Sequence, residues 1–183
     1  MKRLMQLVGA AILALSASGA VAQSAIDQRL EKALKELGFA DGKLPALKPA
    51  FGNYVDSVQV GNLLFLSSAA PQKPDGQFFK GRVPDQVKVE DAVVAAKLAC
   101  VRQVNRMKLV LGDLNRVKRI VFVKGKVLAG ADFTDHTKVI DGCSAFLVEV
   151  FGDAGKHART TDGIISAPFG VTVEVETIIE INN

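Results

Sequence analysis

Two charged side chains near the end of this 183-residue chain, Arg159 and Glu174, are the pair best equipped for chemistry on a small molecule. A guanidinium presents a planar fork of donors that matches a carboxylate at two points. A carboxylate held near an electrophilic carbon can position water and move protons. Together they suit capture of a small acid, with delivery of water or protons to it. If the last two strands formed a hairpin with Ser166 opposite Val171, Gly163 would oppose Glu174. Arg159, of the same parity, would share that face about 13 Å away. Such a gap admits a small acid or demands completion by another subunit. The plainer alternative makes Arg159 an ion-pair partner of Glu174 or Glu176.

Other chemistries lack their residues. Cys100, Cys143, His136 and His157 are scattered singly, without metal-ligand spacing. Both cysteines fall among apolar residues of expected helices and are read as buried free thiols. A bridge between them requires Cα atoms roughly 4.4–6.8 Å apart. No G-x-G-x-x-G follows a strand, the glycines at 125 and 130 are followed by Ala131 rather than a P-loop lysine, and no G-x-S-x-G elbow occurs. Basic residues are interspersed with acids, so charge gives no reason to expect a nucleic-acid partner.

The elements that must position these residues follow a leader. Lys2 and Arg3, an apolar run over 4–17 and the small residues Ala20 and Ala22 form the pattern of an export signal cleaved after Ala22. Its apolar core is shorter than the roughly 20 residues a membrane span needs, and no later segment is long and apolar enough to cross a bilayer. Its removal takes away two basic residues and lowers the net charge from +4 to +2. The chain is thus divided into a signal at 1–22, an N-terminal helix and linker at 23–50, and a main domain at 51–183, with a periplasmic or secreted destination.

Ser24 can cap the first helix, which Gly38 stops. The segment 54–68 reads as a hairpin turning at Gly61-Asn62. A Pro- and Gly-rich loop over 71–86 is long enough to be functional. Residues 89–111 read as a helix ended by Gly112, with Arg102, Gln103, Arg106 and Lys108 as its wet face. A strand over 117–127, a helix over 131–151 capped by Asp132, and strands near 157–166 and 171–181 complete a ββαβαββ order. In the last strand Val171, Val173, Val175, Ile179 and Ile181 share one face, expected under the helices. Glu174, Glu176 and Glu180 share the other, turned to a cavity, an interface or solvent. Two helices cover one sheet face only, so the class is α+β.

Several pieces resemble the RidA/YjgF family in order and spacing: Asn53-Tyr54-Val55, Val60-Gly61-Asn62-Leu63-Leu64-Phe65-Leu66-Ser67, Gly112-Asp113-Leu114, Ala158-Arg159, and the ending that starts at Pro168-Phe169-Gly170 and runs to Glu176. The chain is most similar to a branch with Phe-Gly-Asp-Ala-Gly-Lys-His-Ala-Arg at 151–159. The resemblance implies a chorismate-mutase-like fold, a homotrimer and clefts at subunit boundaries. It implies hydrolysis of enamines and imines to 2-keto acids and ammonia without a cofactor. Other members have been called endoribonucleases. By resemblance, Arg159 grips a substrate carboxylate, Glu174 positions water, Tyr54 lines the cleft and Ser67 opens a Ser-Gly-Gln loop. Ser68 and Ala69 replace the glycine and glutamine of that loop. Thr137 and Thr161 stand where the deaminases carry Asn and Cys. These departures favour an alternative, a non-catalytic protein that binds a small carboxylate in the same cleft. An endoribonuclease is the third reading.

Overall fold

The last strand lies at the centre of the sheet. In a computed structural model describing residues 24–47 and 52–182, the element order is α1 (Ala25–Glu36), β1 (Ser57–Val60), β2 (Leu63–Ala69), α2 (Val89–Leu111), β3 (Val117–Leu128), α3 (His136–Phe151), β4 (Ala158–Ile164) and β5 (Val173–Ile181). The expected signal segment lies outside the described residues, as does part of the linker that follows α1. The five strands form one sheet in the order β1-β2-β5-β3-β4. Val173, Val175, Thr177, Ile179 and Ile181 are buried on one face of β5, as the alternation requires.

Helices α2 and α3 cover that face, and α1 adds a third helix against α3. The α+β class with a mixed sheet is therefore the observed one. Two close approaches depend on glycine. A Cβ on Gly125 of β3 would lie 2.5 Å from Ile140 of α3, and one on Gly142 of α3 would lie 2.2 Å from the Val93 carbonyl of α2. Any larger residue would force the layers apart.

Three local expectations need correction. Helix α3 begins at His136, not Ala131, because the Phe133 amide closes a turn onto the Gly130 carbonyl; Asp132 does not cap it. Arg102, Gln103 and Arg106 are not a wet face. They are 5%, 0% and 4% exposed, while Leu109 and Val110 of the same helix face solvent. The expected hairpin of the last two strands does not form. β5 is hydrogen-bonded on both edges, by β2 and β3, so β4 pairs with the free edge of β3. The chain passes from β3 through α3 to β4, and such a helical crossover makes the two strands parallel.

Cys100 of α2 and Cys143 of α3 are joined in a disulfide with Cα atoms 5.4 Å apart, both fully buried. The free-thiol reading fails because the tight α2–α3 contact brings them within bridging range. The bridge spans 43 residues, and loop-closure entropy assigns such a bridge about 4 kcal/mol. The Cys100→Ala/Cys143→Ala protein should therefore lose about 2–4 kcal/mol in urea unfolding relative to the oxidised wild type. Equal midpoints, with or without reductant, would show that the bridge does not contribute.

Candidate functional site

The carbonyls of Ser67 and Ser68 fall where the register of β2 against β5 shifts, between Leu66 and Ala69, and that of Ala70 lies just past the end of the strand. Three side chains of α2 donate to them. Arg106 Nη1 donates to the Ser67 and Ser68 carbonyls at 2.5 and 3.0 Å. Gln103 Nε2 donates to Ser67 O at 3.0 Å and also to Val175 O. Arg102 Nη1 reaches Ala70 O at 3.4 Å. The polar face of α2 is thus turned inward, onto the bulge. Its signal in the sequence was the one-turn spacing of Arg102 and Arg106 beside Gln103, in a helix whose apolar residues run all round.

A cavity of about 620 Å³ opens beside this bulge, lined by Tyr54, Ser67, Ser68, Phe78, Arg102, Arg106, Phe169, Glu174 and Glu176 among others. Three of the four residues singled out in the sequence, Tyr54, Ser67 and Glu174, meet there. Tyr54 stands at the rim, half exposed. The Ser67 hydroxyl donates to the Val55 carbonyl at 2.7 Å, which leaves its oxygen to accept. Burial pushes the Glu174 carboxyl above the usual carboxylate range; the Lys126 charge opposes this and the Glu176 charge adds to it. Glu176 is itself ion-paired to Lys126 Nζ at 2.6 Å.

Arg159 is not in this cavity. Pairing in the sheet sets Arg159 beside Val123, whose side chain is buried under the helices, and sets Glu174 beside Lys126 on the opposite face. Within one subunit the two groups therefore look to opposite sides of the sheet. Parallel pairing of β4 reverses the parity that a hairpin would have produced. Arg159 instead donates to Asp141 Oδ1 at 2.7 Å and to Ser144 Oγ at 2.9 Å, both on α3. Neither Glu174 nor Glu176 is its ion-pair partner. His157 joins the same group: its Nε2 lies 3.0 Å from Ser144 Oγ, and its Nδ1 lies 2.6 Å from the Gly155 carbonyl. Burial holds the imidazole below its ordinary value, helped by the Arg159 charge, while the contact with the Gly155 carbonyl opposes the shift.

The two cavity arginines differ. Arg106 is neutralised by Asp56, with Nη2 2.9 Å from Oδ1. Arg102 has no ion-pair partner among the described residues. Its other neighbour is the Phe78 ring, whose centroid lies 5.5 Å from the guanidinium carbon. Burial and the Arg106 charge lower its proton affinity, the Asp56 charge opposes them, and the guanidinium stays charged. A buried cation with one long hydrogen bond, facing a cavity, is a site for an anion.

Comparison with known proteins agrees with this architecture. The family model described as "YjgF/chorismate_mutase-like, putative endoribonuclease" matches residues 35–173. Protein TCP17 of Trypanosoma cruzi is 35% identical over 156 residues, covering 85% of this chain and 96% of that protein. The crystal structure of Atu1372 from Agrobacterium tumefaciens, described as of unknown function, superposes with a TM-score of 0.75 at 36% identity, over 86% of this chain and 96% of that one. RidA from an Antarctic Psychrobacter shares the fold at a TM-score of 0.52 and 21% identity, over 76% and 94% of the two chains. With its matched span covering most of the described fold, the chain belongs to the YjgF/RidA family.

Proposed function

We propose that this protein binds a small organic carboxylate in the cavity beside the β2 bulge, with Arg102 as the carboxylate grip. The observation that carries this reading is the buried Arg102 guanidinium, which makes no direct ion pair with a carboxylate among the described residues. Tyr54 and the Ser67 oxygen supply polar contacts at the rim, and Glu174 faces the ligand with a raised proton affinity. In a homotrimer, Arg159 would reach such a cavity from a neighbouring subunit, the only route left to it by its place on the helix-covered face of the sheet. We place the protein outside the cytoplasm, a reading supported by the 1–22 segment and by a disulfide, which oxidising compartments preserve.

A second reading, hydrolytic deamination of imines or enamines to 2-keto acids, is favoured by Glu174. A carboxyl buried enough to hold its proton longer than usual can serve as acid toward nitrogen and, once ionised, as base toward water. The endoribonuclease of the family description makes a third, tested in the same preparation: RNA cleavage that survives Glu174→Gln would belong to a contaminant.

Binding is measured by calorimetry and thermal shift with a panel of 2-oxo acids and amino acids. Arg102→Met should weaken carboxylate binding by about ten- to a hundredfold, the worth of hydrogen bonds to a charged group. Unchanged affinity in Arg102→Met, with loss in Arg159→Ala, would transfer the grip to Arg159.

Deamination is measured as keto-acid release from enzymatically generated 2-aminoacrylate. Glu174→Gln should reduce release to the spontaneous rate. Because the folded Glu174 pKa is raised, the folded state holds the proton more tightly than the unfolded chain. Its contribution to stability is therefore present at low pH and lost as pH rises through the folded value. Glu174→Gln should remove that loss, so the Tm of the wild type should fall relative to the variant between pH 4 and pH 7. Parallel Tm profiles would refute the buried-acid assignment.

A further inference from the structure

A serine in the middle of a helix ordinarily bonds the carbonyl one turn back, or water. Ser144 of α3 instead meets two side chains at the start of β4, His157 Nε2 at 3.0 Å and Arg159 Nη1 at 2.9 Å. The partners fix where each proton lies. The Gly155 carbonyl can only accept, so His157 Nδ1, 2.6 Å away, carries the ring proton and Nε2 is bare. A guanidinium can only donate, so Arg159 gives an N–H to Ser144 Oγ. The Ser144 hydroxyl is left to give its own proton to Nε2. Burial, aided by the Arg159 charge and opposed by the Gly155 contact, lowers the proton affinity of the ring, which is therefore neutral at neutral pH. Asp141 Oδ1, 2.7 Å from the same Arg159 nitrogen, holds the guanidinium in position.

A hydroxyl hydrogen-bonded to a bare ring nitrogen, with the ring oriented by a third group, is the arrangement of an activated nucleophile; here the third group is a backbone carbonyl. We infer that Ser144 is a nucleophile toward small esters, with His157 as its base, at a site separate from the cavity beside the β2 bulge. Ser144 Oγ forms a bond to the ester carbonyl carbon while its proton passes to His157 Nε2. The tetrahedral adduct collapses by breaking the bond to the leaving alcohol, which takes the proton from Nε2. Water then repeats the sequence on the acyl-serine and releases a carboxylic acid. The backbone amides around Ser144 are committed to the ladder of α3, so the Arg159 guanidinium is the donor nearest the developing negative charge. With that single donor, the substrates are esters whose leaving group departs readily, such as aryl esters. Approach is open from the α3 side. The Asp141 side chain is 62% exposed, and Val148, one turn beyond Ser144, is partly exposed. A shallow face of this kind suits a small acyl group.

The test treats the mature protein with a fluorophosphonate, from which a serine oxygen displaces fluoride at phosphorus, and with 4-nitrophenyl acetate. Mass spectrometry of the digested protein should place the phosphonyl group on Ser144, and nitrophenolate should appear in a burst that Ser144→Ala abolishes. His157→Gln can still hydrogen-bond to Ser144 but is no base, so labelling should slow by about a hundredfold or more. The wild-type labelling rate should rise with pH and reach half its maximum below 6.5, the ordinary imidazole value. The site of the adduct on the wild type decides the matter even if Ser144→Ala does not fold. No adduct on Ser144, or labelling of Ser144 that His157→Gln leaves at the wild-type rate, would overturn the inference. A lower Tm in Ser144→Ala, with the wild type unreactive, would assign the network to bracing β4 against α3 and overturn it as well.

Discussion

A guanidinium cannot shed its charge, so a helix that buries two of them must find each a counterpart. Helix α2 carries Arg102 and Arg106 inward, and the fold meets the requirement with a break in the sheet. The register shift of β2 after Leu66 frees backbone carbonyls, and Arg106, Gln103 and Arg102 take them up. Asp56, just before β1, neutralises Arg106. The bulge and the buried charges are thus mutually dependent: regular pairing through Ala69 would leave the arginines without acceptors, and apolar residues in their place would leave the carbonyls without donors. What remains after this exchange is the uncompensated charge on Arg102 beside a cavity.

The sheet's faces divide the remaining chemistry in two. On the open face, Glu174, Glu176 and Lys126 lie close together, with Glu174 raised by burial and Glu176 tied to the lysine. On the covered face, Arg159 is engaged with Asp141 and Ser144, and His157 braces Ser144 from the other side. Each group is a connected polar network, and one layer of sheet separates them. Chemistry joining them within a subunit is excluded by the sheet itself, whatever their proximity along the chain. In the proposed homotrimer a neighbouring subunit would be the route by which such groups meet; the open face of the sheet carries the partly exposed Phe65 and the exposed Val58.

Much of the architecture could be read from the residues alone. Alternation along 171–181 identified the covered face of β5, Gly61-Asn62 placed the first hairpin, and α2 was bounded by periodicity and Gly112, because period and turn chemistry are local properties. Tyr54, Ser67 and Glu174 were found by family resemblance and do share a cavity. The position of Arg159 relative to Glu174 was not legible, since it depends on whether β4 joins β5 or crosses to β3, and the side-chain parity of a strand carries no record of its partner. The direction of the polar face of α2 was hidden for a related reason. A helix wheel shows that Arg102, Gln103 and Arg106 share a side, but only the packed sheet shows that this side meets unpaired carbonyls instead of water. The disulfide likewise awaited the α2–α3 contact. The residue types and their local periodicities belonged to the sequence by itself; which charge ended up facing an empty volume was decided by strand order and the sheet bulge, because burial is a property of the assembled layers and not of any segment within them.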